Sequence, residues 1–249
     1  MPTTLPIKLK KEPLIDAIFE VRFSSSASVS DILPGILYSK LGCEDKIERL
    51  PIANLPKAVR DADPKLEFAP LVRLHWEKFF IAIGERSLVI SCKLPYPGWA
   101  SFKQAILKIL DIVKDIKIIK NVQRYSVKYI DLIPSNNLQE QVSMISASIV
   151  VGGHSVKKES FSLRIEILQE ELIHIVSIIT SAVAKIYDGT KKNGIVVDID
   201  TIANVKDQDF RQWVKQLPDN LDKIHIANKE MFFKCLKSKT IDSLEPVYG

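Results

Sequence analysis

Glycine is scarce in this chain, with nine residues in 249, about half the ~7% usual for globular proteins. Little material is left for the glycine loops that wrap phosphates, and neither G-x-x-x-x-G-K-[ST] nor G-x-G-x-x-G occurs. Ordinary nucleotide-binding folds are therefore disfavoured. Cysteine is equally sparse. Cys43, Cys92 and Cys235 lie far apart, and their odd number leaves one thiol free in any intrachain pairing, so reduced thiols and a cytoplasmic location are expected. No C-x-x-C is present, and His75, His154, His174 and His225 never fall within one helical turn of each other, which removes the strong local zinc patterns. G-x-S-x-G is absent too. The first residues lack the apolar stretch of a secretory signal. The most apolar run, 172–186, is broken by polar residues and falls short of the roughly 20 that span a bilayer. No membrane association and no cofactor are expected.

What the chain does contain is ordinary globular composition, 46% hydrophobic and 26% charged, with 35 basic against 30 acidic residues and a net charge of +5. That mild excess permits polyanion binding without requiring it. From Asp16, residues Ala17, Phe19, Val21 and Phe23 alternate with Ile18, Glu20 and Arg22, the period of a strand. A helix follows, capped by Ser30, with Pro34 in its first turn and Gly42 as terminator. Four prolines between residues 50 and 70 indicate an irregular surface excursion. Three short β-rich runs, 71–76, 79–83 and 87–92, form an antiparallel meander. Spacings of three and four from 98 to 116 predict the most regular helix, and 122–133 alternates as a strand.

The cluster Pro134-Ser135-Asn136-Asn137 suggests a division into 1–134 and 135–249. In the second half, strands are expected at 142–151, 161–168, 172–183 and 195–203, with a turn at 188–193. A short helix around Phe210–Leu217 should stop at Pro218, with Asp219 capping another. The expectation is an α+β fold, mainly antiparallel, in two similar halves that each pack an amphipathic helix on sheet. One continuous sheet gripping the long helix fits equally well.

Candidate chemistry is thin. Asp198 and Asp200 project from one strand face, as a shared divalent cation would require, although two carboxylates are too few for a tight site. Glu20, Arg22, Arg124, Asp131, Asp198 and Asp200 either form a solvated, ion-paired sheet face or converge into a polar cleft with shifted pKa values. His225 falls beside the apolar face of the last helix and reads as a hydrogen-bonded packing histidine, a general base only if Asp198 or Asp200 approaches. Lys114, Lys117, Lys120, Arg124 and Lys128 make the densest basic stretch, a nucleic-acid surface unless neighbouring carboxylates neutralise it.

Pro13-Leu14-Ile15-Asp16-Ala17-Ile18-Phe19-Glu20-Val21-Arg22-Phe23 resembles the P-[IL]-x-E-A-x-[FC]-E-[IV]-R-F opening of a sporadically distributed, functionally uncharacterised prokaryotic family of about this length. Arg124-Tyr125 through Asp131 is similar to its R-[YL]-x-x-x-[YF]-[IV]-N, and Asp198-Ile199-Asp200, followed by His225 and Phe232, to its late D-x-D and H-x-x-x-x-x-x-F. Asp16 stands where the family tends to have Glu, and Asp131 where it tends to have Asn. The resemblance implies an accessory protein, of the sort that serves defence or toxin neutralisation, and names no reaction. The expectation is a non-enzymatic binding or interaction protein with a protein partner or a second copy of itself. The alternatives are a metal-dependent hydrolase or nuclease using Asp198 and Asp200, and a nucleic-acid binder.

Overall fold

A computed structural model describes residues 5–43, 45–185 and 189–249. In chain order, β1 (Lys8–Leu9) precedes β2 (Leu14–Ser25), α1 (Val29–Leu41) and β3 (Glu48–Arg49). A 3-10 turn (Pro51–Asn54) and α2 (Lys57–Ala62) lead to the meander β4 (Val72–Trp76), β5 (Phe79–Ile83) and β6 (Ser87–Cys92). Next come α3 (Trp99–Ile116), β7 (Ile119–Pro134), α4 (Leu138–Met144) and the small hairpin of β8 (Val150–Val151) and β9 (His154–Ser155). The chain closes with β10 (Ser162–Gln169), β11 (Leu172–Lys185), β12 (Lys191–Asp209), α5 (Phe210–Cys235), α6 (Ser238–Ser243) and β13 (Pro246–Val247).

Nine strands make one mainly antiparallel sheet in the order β10-β11-β12-β7-β2-β6-β5-β4-β3, with helices packed against it. The strands after residue 135 therefore extend the first sheet instead of building a second. Joining them satisfies long strands that would otherwise expose two additional edges. Contacts divide the chain into two compact units that do not follow chain order as the 1–134 and 135–249 halves do. One comprises Met1–Asp16, Lys128–Thr201 and His225–Gly249, the other Ala17–Val127 and Ile202–Ile224. The reason is length, since β2, β7, β12 and α5 each start in one unit and end in the other.

In the second of these units, Phe19 and Phe23 of β2 are fully buried with Leu33 and Leu37 of α1 and with Phe102, Ile106 and Ile109 of α3. Helix α1 begins at Val29, and Ser28 provides no side-chain cap. The Glu85 carboxylate takes that role, accepting from the Val29 amide at 3.1 Å and from the hydroxyls of Ser28 and Ser30. A carboxylate there suits the positive end of the helix dipole. Pro34 is accordingly the sixth helical residue and lies beyond the first turn. Gly42 ends the helix in the left-handed region, φ 65°, where a Cβ would be strained. Helix α3 is tied to α5 by Asp222, which accepts from Trp99 Nε1 at 2.9 Å and from Lys103 Nζ at 2.6 Å.

The first unit buries Val176 and Ile178 of β11 and Ile195, Val197 and Ile199 of β12 against Met231 and Phe232 of α5, with Ile241 and Leu244 closing the cluster. Gly194 lets β12 approach β7 closely, because a Cβ there would collide with the Ile133 carbonyl. The strand expected over 142–151 is instead the end of α4, an isolated bridge at Ile145 and the two residues of β8. Polar bonds override β-propensity at this point. Asn137 accepts from the Glu140 amide, while the Gln141 side chain donates to the Ser135 carbonyl and accepts from the Ser181 amide. Of the turn expected at 188–193, Asp188 lies outside the described residues and Lys191 already opens β12. Among the described residues no helix is long and apolar enough to cross a membrane.

The expected break at Pro218 is overruled as well, since α5 runs unbroken for 26 residues with that proline inside it. Phe210, Trp213, Val214, Leu217, Leu221 and Ile224 are all buried and continue at steps of three and four across the proline. A seam of that kind outweighs a loss of about 3 kcal/mol from the missing N–H and the ring clash. Pro218→Ala restores a donor for the Val214 carbonyl. After subtracting about 0.4–1 kcal/mol for the looser unfolded chain, a net gain of roughly 2–2.6 kcal/mol is expected. Urea unfolding followed by far-UV circular dichroism checks it, and an unchanged or lower midpoint contradicts it.

Candidate functional site

The side of β2 opposite Phe19 and Phe23 carries Glu20 and Arg22, and Arg124 of β7 joins them. Glu20 Oε2 accepts from Arg22 Nε at 3.0 Å and from Arg124 Nη2 at 3.2 Å. Arg22 also lies flat over the Phe68 ring, 4.3 Å from guanidinium carbon to centroid. Two guanidinium groups thus share one carboxylate, all three side chains being about one-fifth to one-quarter exposed. Arg124 Nε is buried without a hydrogen-bond partner, so one donor remains beyond what Glu20 satisfies. These three of the six charges marked in the sequence meet in one place, as an ion-paired sheet face.

Asp131, Asp198 and Asp200 fall in the other compact unit, together with His225. Asp198 is taken by Lys128, whose Nζ lies 2.8 Å from Oδ2. That contact consumes the carboxylate on which a cation site would depend. Among the described residues, no three His, Cys, Asp or Glu side chains are grouped to hold a metal ion. Asp200 is half-buried next along the same strand face. Asp131 differs in kind. It is 7% exposed, and its pKa is raised well above the usual carboxylate value, mainly by burial and further by the charges of Glu12 and Asp198. Glu12 is raised by burial too.

His225 Nδ1 lies 3.0 Å from the Tyr129 hydroxyl, with the rings edge to face. This is the bond of a packing histidine between α5 and β7. His75 faces Asp45 and Glu48 at 3.3 and 3.5 Å, while Trp76 beside it is buried and stacked on Phe79. A buried polar chain that the sequence analysis missed joins three elements. Asn228 Nδ2 donates to the Ile199 carbonyl at 2.8 Å and to Thr201 Oγ1 at 2.9 Å, and that hydroxyl meets His174 Nδ1 at 2.9 Å. His174 is 1% exposed and its pKa is lowered, first by burial. The periodicity placed His174 inside an apolar strand, and only the meeting of β11 with β12 brings Thr201 to it, with Asn228 of α5 completing the chain.

The basic stretch is largely spent on neighbours: Lys114 on Asp111, Arg124 on Glu20 and Lys128 on Asp198.

The excursion between residues 50 and 70 supplies one wall of an open groove of about 820 Å³ within the second unit. The rest of the lining is the run Ser24–Ser28, the end of β2 and the turn after it, with Glu85 and Arg86. Arg60 of α2 is braced by the Ala53 and Leu55 carbonyls at 3.4 and 2.6 Å, and Arg86 pairs with Glu67. Lys57, Arg60 and Arg86 are balanced there by Asp61, Glu67 and Glu85. Several serine hydroxyls line the groove, yet neither histidine nor cysteine does. Nucleophilic attack by serine needs an adjacent base, and the carboxylate that meets Ser28, Glu85 at 3.0 Å, is already bonded to the Val29 amide and the Ser30 hydroxyl as the cap of α1. What the lining offers is hydroxyls and charges of both signs, which suits recognition. The four prolines mark this excursion as surface but cannot reveal the groove, because its lining comes from segments distant in the chain.

No family model matches the chain, and no curated protein matches it.

Asp131 supplies a pH test. Its folded pKa lies above its unfolded value, so the folded state binds the proton more tightly, and stability falls as pH rises through that window. Asp131→Asn removes the charge at every pH. The variant should melt at a higher temperature than the parent near pH 8, with the difference shrinking toward zero as pH falls to the ordinary Asp value of about 4. A difference independent of pH between 4 and 8, read by thermal unfolding, contradicts this origin.

Proposed function

We propose that the protein is a non-enzymatic binding protein whose groove between Ser24–Ser28 and the 57–69 segment holds a polar stretch of a partner polypeptide. The observation that carries this reading is the groove's lining, three basic and three acidic groups plus serine hydroxyls, the one carboxylate bonded to a lining serine, Glu85, being already committed to the cap of α1. A volume of about 820 Å³ stands near the upper end of the ~300–1,000 Å³ typical of small-molecule clefts. Balanced charge favours a ligand bearing both signs over a nucleic-acid backbone, which rewards an excess of Lys and Arg. The ion pairs of Glu20 with Arg22 and Arg124, and of Lys128 with Asp198, support the same reading, since groups already neutralised by one another are poorly placed for acid–base or metal work. A cytoplasmic setting and a toxin or defence protein as partner are what the resemblance of the N-terminal motif implies.

A photo-crosslinking residue placed at Ser26 or Lys57, with Gln104 on the wet face of α3 as control, tests the proposal in the native host. All three positions are exposed. The expected result is one polypeptide adduct from positions 26 and 57, absent from 104, mapping to a single segment whose synthetic peptide competes it away. Equal adducts from all three positions, or none from the groove, would overturn it.

A further inference from the structure

Strand β10 ends the nine-stranded sheet, and neither proline nor lysine guards that edge. Native edge strands are usually short, or carry Pro or Lys against unwanted pairing. This one runs for eight residues, Ser-Leu-Arg-Ile-Glu-Ile-Leu-Gln, with neither. Its register with β11 assigns the faces. Leu163, Ile165 and Ile167 stand opposite Ile178, Val176 and His174, all three buried, whereas Arg164 and Glu166 stand opposite Ser177 and Ile175 on the other face. Ile165 therefore points to the core side yet is 40% exposed, because no further strand flanks it. Arg164 and Glu166 are exposed, and neither has an ion-pair partner among the described residues.

We propose that β10 pairs antiparallel with β10 of a second copy of this chain about a two-fold axis at Ile165, so that Arg164 of each faces Glu166 of the other. The register follows from two constraints. A two-fold axis perpendicular to the sheet keeps each face on its own side, so directly opposed residues must share a face. Among the registers this allows, the one centred on Ile165 opposes Arg164 to the partner copy's Glu166 twice, Leu163 to Ile167, and Ile165 to its own counterpart. Moving the centre by one residue opposes Arg164 to Arg164 or Glu166 to Glu166. Opposite charges directly across an antiparallel pair stabilise it and like charges destabilise it, so the charge order selects a single register. The exposed side of Ile165 is covered in the same arrangement.

Sedimentation across the micromolar range tests this on the full-length chain. The parent should show a concentration-dependent dimer. Arg164→Glu and Glu166→Arg, both solvent-exposed changes, should each weaken it about tenfold or more, and the double variant R164E/E166R should restore it. Mixing the two single variants should give a heterodimer, since every opposed pair then carries opposite charges. Circular dichroism confirms that each variant is folded. A parent that stays monomeric, single variants that dimerise as well as the parent, or a mixture that fails to associate would each overturn the proposal. Dimerisation is read independently of groove occupancy, so its failure leaves the binding proposal standing.

Discussion

A strand of alternating polarity has one face that water rejects, and burying that face on helices governs the rest of this structure. Phe19 and Phe23 on β2, Val122 and Val127 on β7, and Ile195, Val197 and Ile199 on β12 are all essentially inaccessible to solvent. Each buried aliphatic or aromatic side chain contributes about 1.5–3 kcal/mol. A continuous line of them is enough to carry α5 unbroken through Pro218, where local preference alone would end a helix. The same demand decides what the opposite face carries. With one side committed to the core, Glu20, Arg22, Arg124, Lys128 and Asp198 are displayed on the other, close enough to neutralise each other.

That neutralisation shapes the chemistry available. The residue types invite an acid–base or metal-dependent reading, yet Glu20 is shared by two guanidinium groups and Asp198 is held by an ammonium. Asp131 is the exception, a carboxyl whose pKa is raised first by its burial and then by its acidic neighbours. The groove lies elsewhere, where a serine-rich turn faces a proline-punctuated excursion. Its acidic wall does structural work as well, since Glu85 serves both as lining and as the cap of α1. The groove is thus lined in part by groups that the fold has already fixed in place.

Burial also explains where the structure is left incomplete. A sheet of nine strands has two ends, and the short β3 at one of them gives little template for pairing. The other end, β10, is long, and its core-side residues lack a neighbour. Opposite charges two residues apart on an edge strand are self-complementary under two-fold symmetry, so the element that terminates the sheet also carries a pairing code.

Much of the local architecture was legible from periodicity alone. The helix expected at 98–116 is found at Trp99–Ile116, the meander matches within a residue or two, and Gly42 terminates α1 as its position suggested. Of the candidate residues, Glu20 and Arg22 were legible as like-faced positions on one strand, whereas the approach of Arg124 from β7 was not. The His174–Thr201–Asn228 chain was not, because its members are separated by 27 residues each and meet only when α5 lies on β12. Alternating polarity by itself determined most of the long strands, their faces and the mainly antiparallel α+β class, since those depend on neighbours a few residues apart, though not the 142–151 segment. Only the tertiary structure decided that the strands share one sheet, that Pro218 stays inside a helix and that Glu85 caps α1. Each of those outcomes rests on burial and hydrogen bonds between segments far apart in the chain, and local pattern carries no record of which distant surface a face will meet.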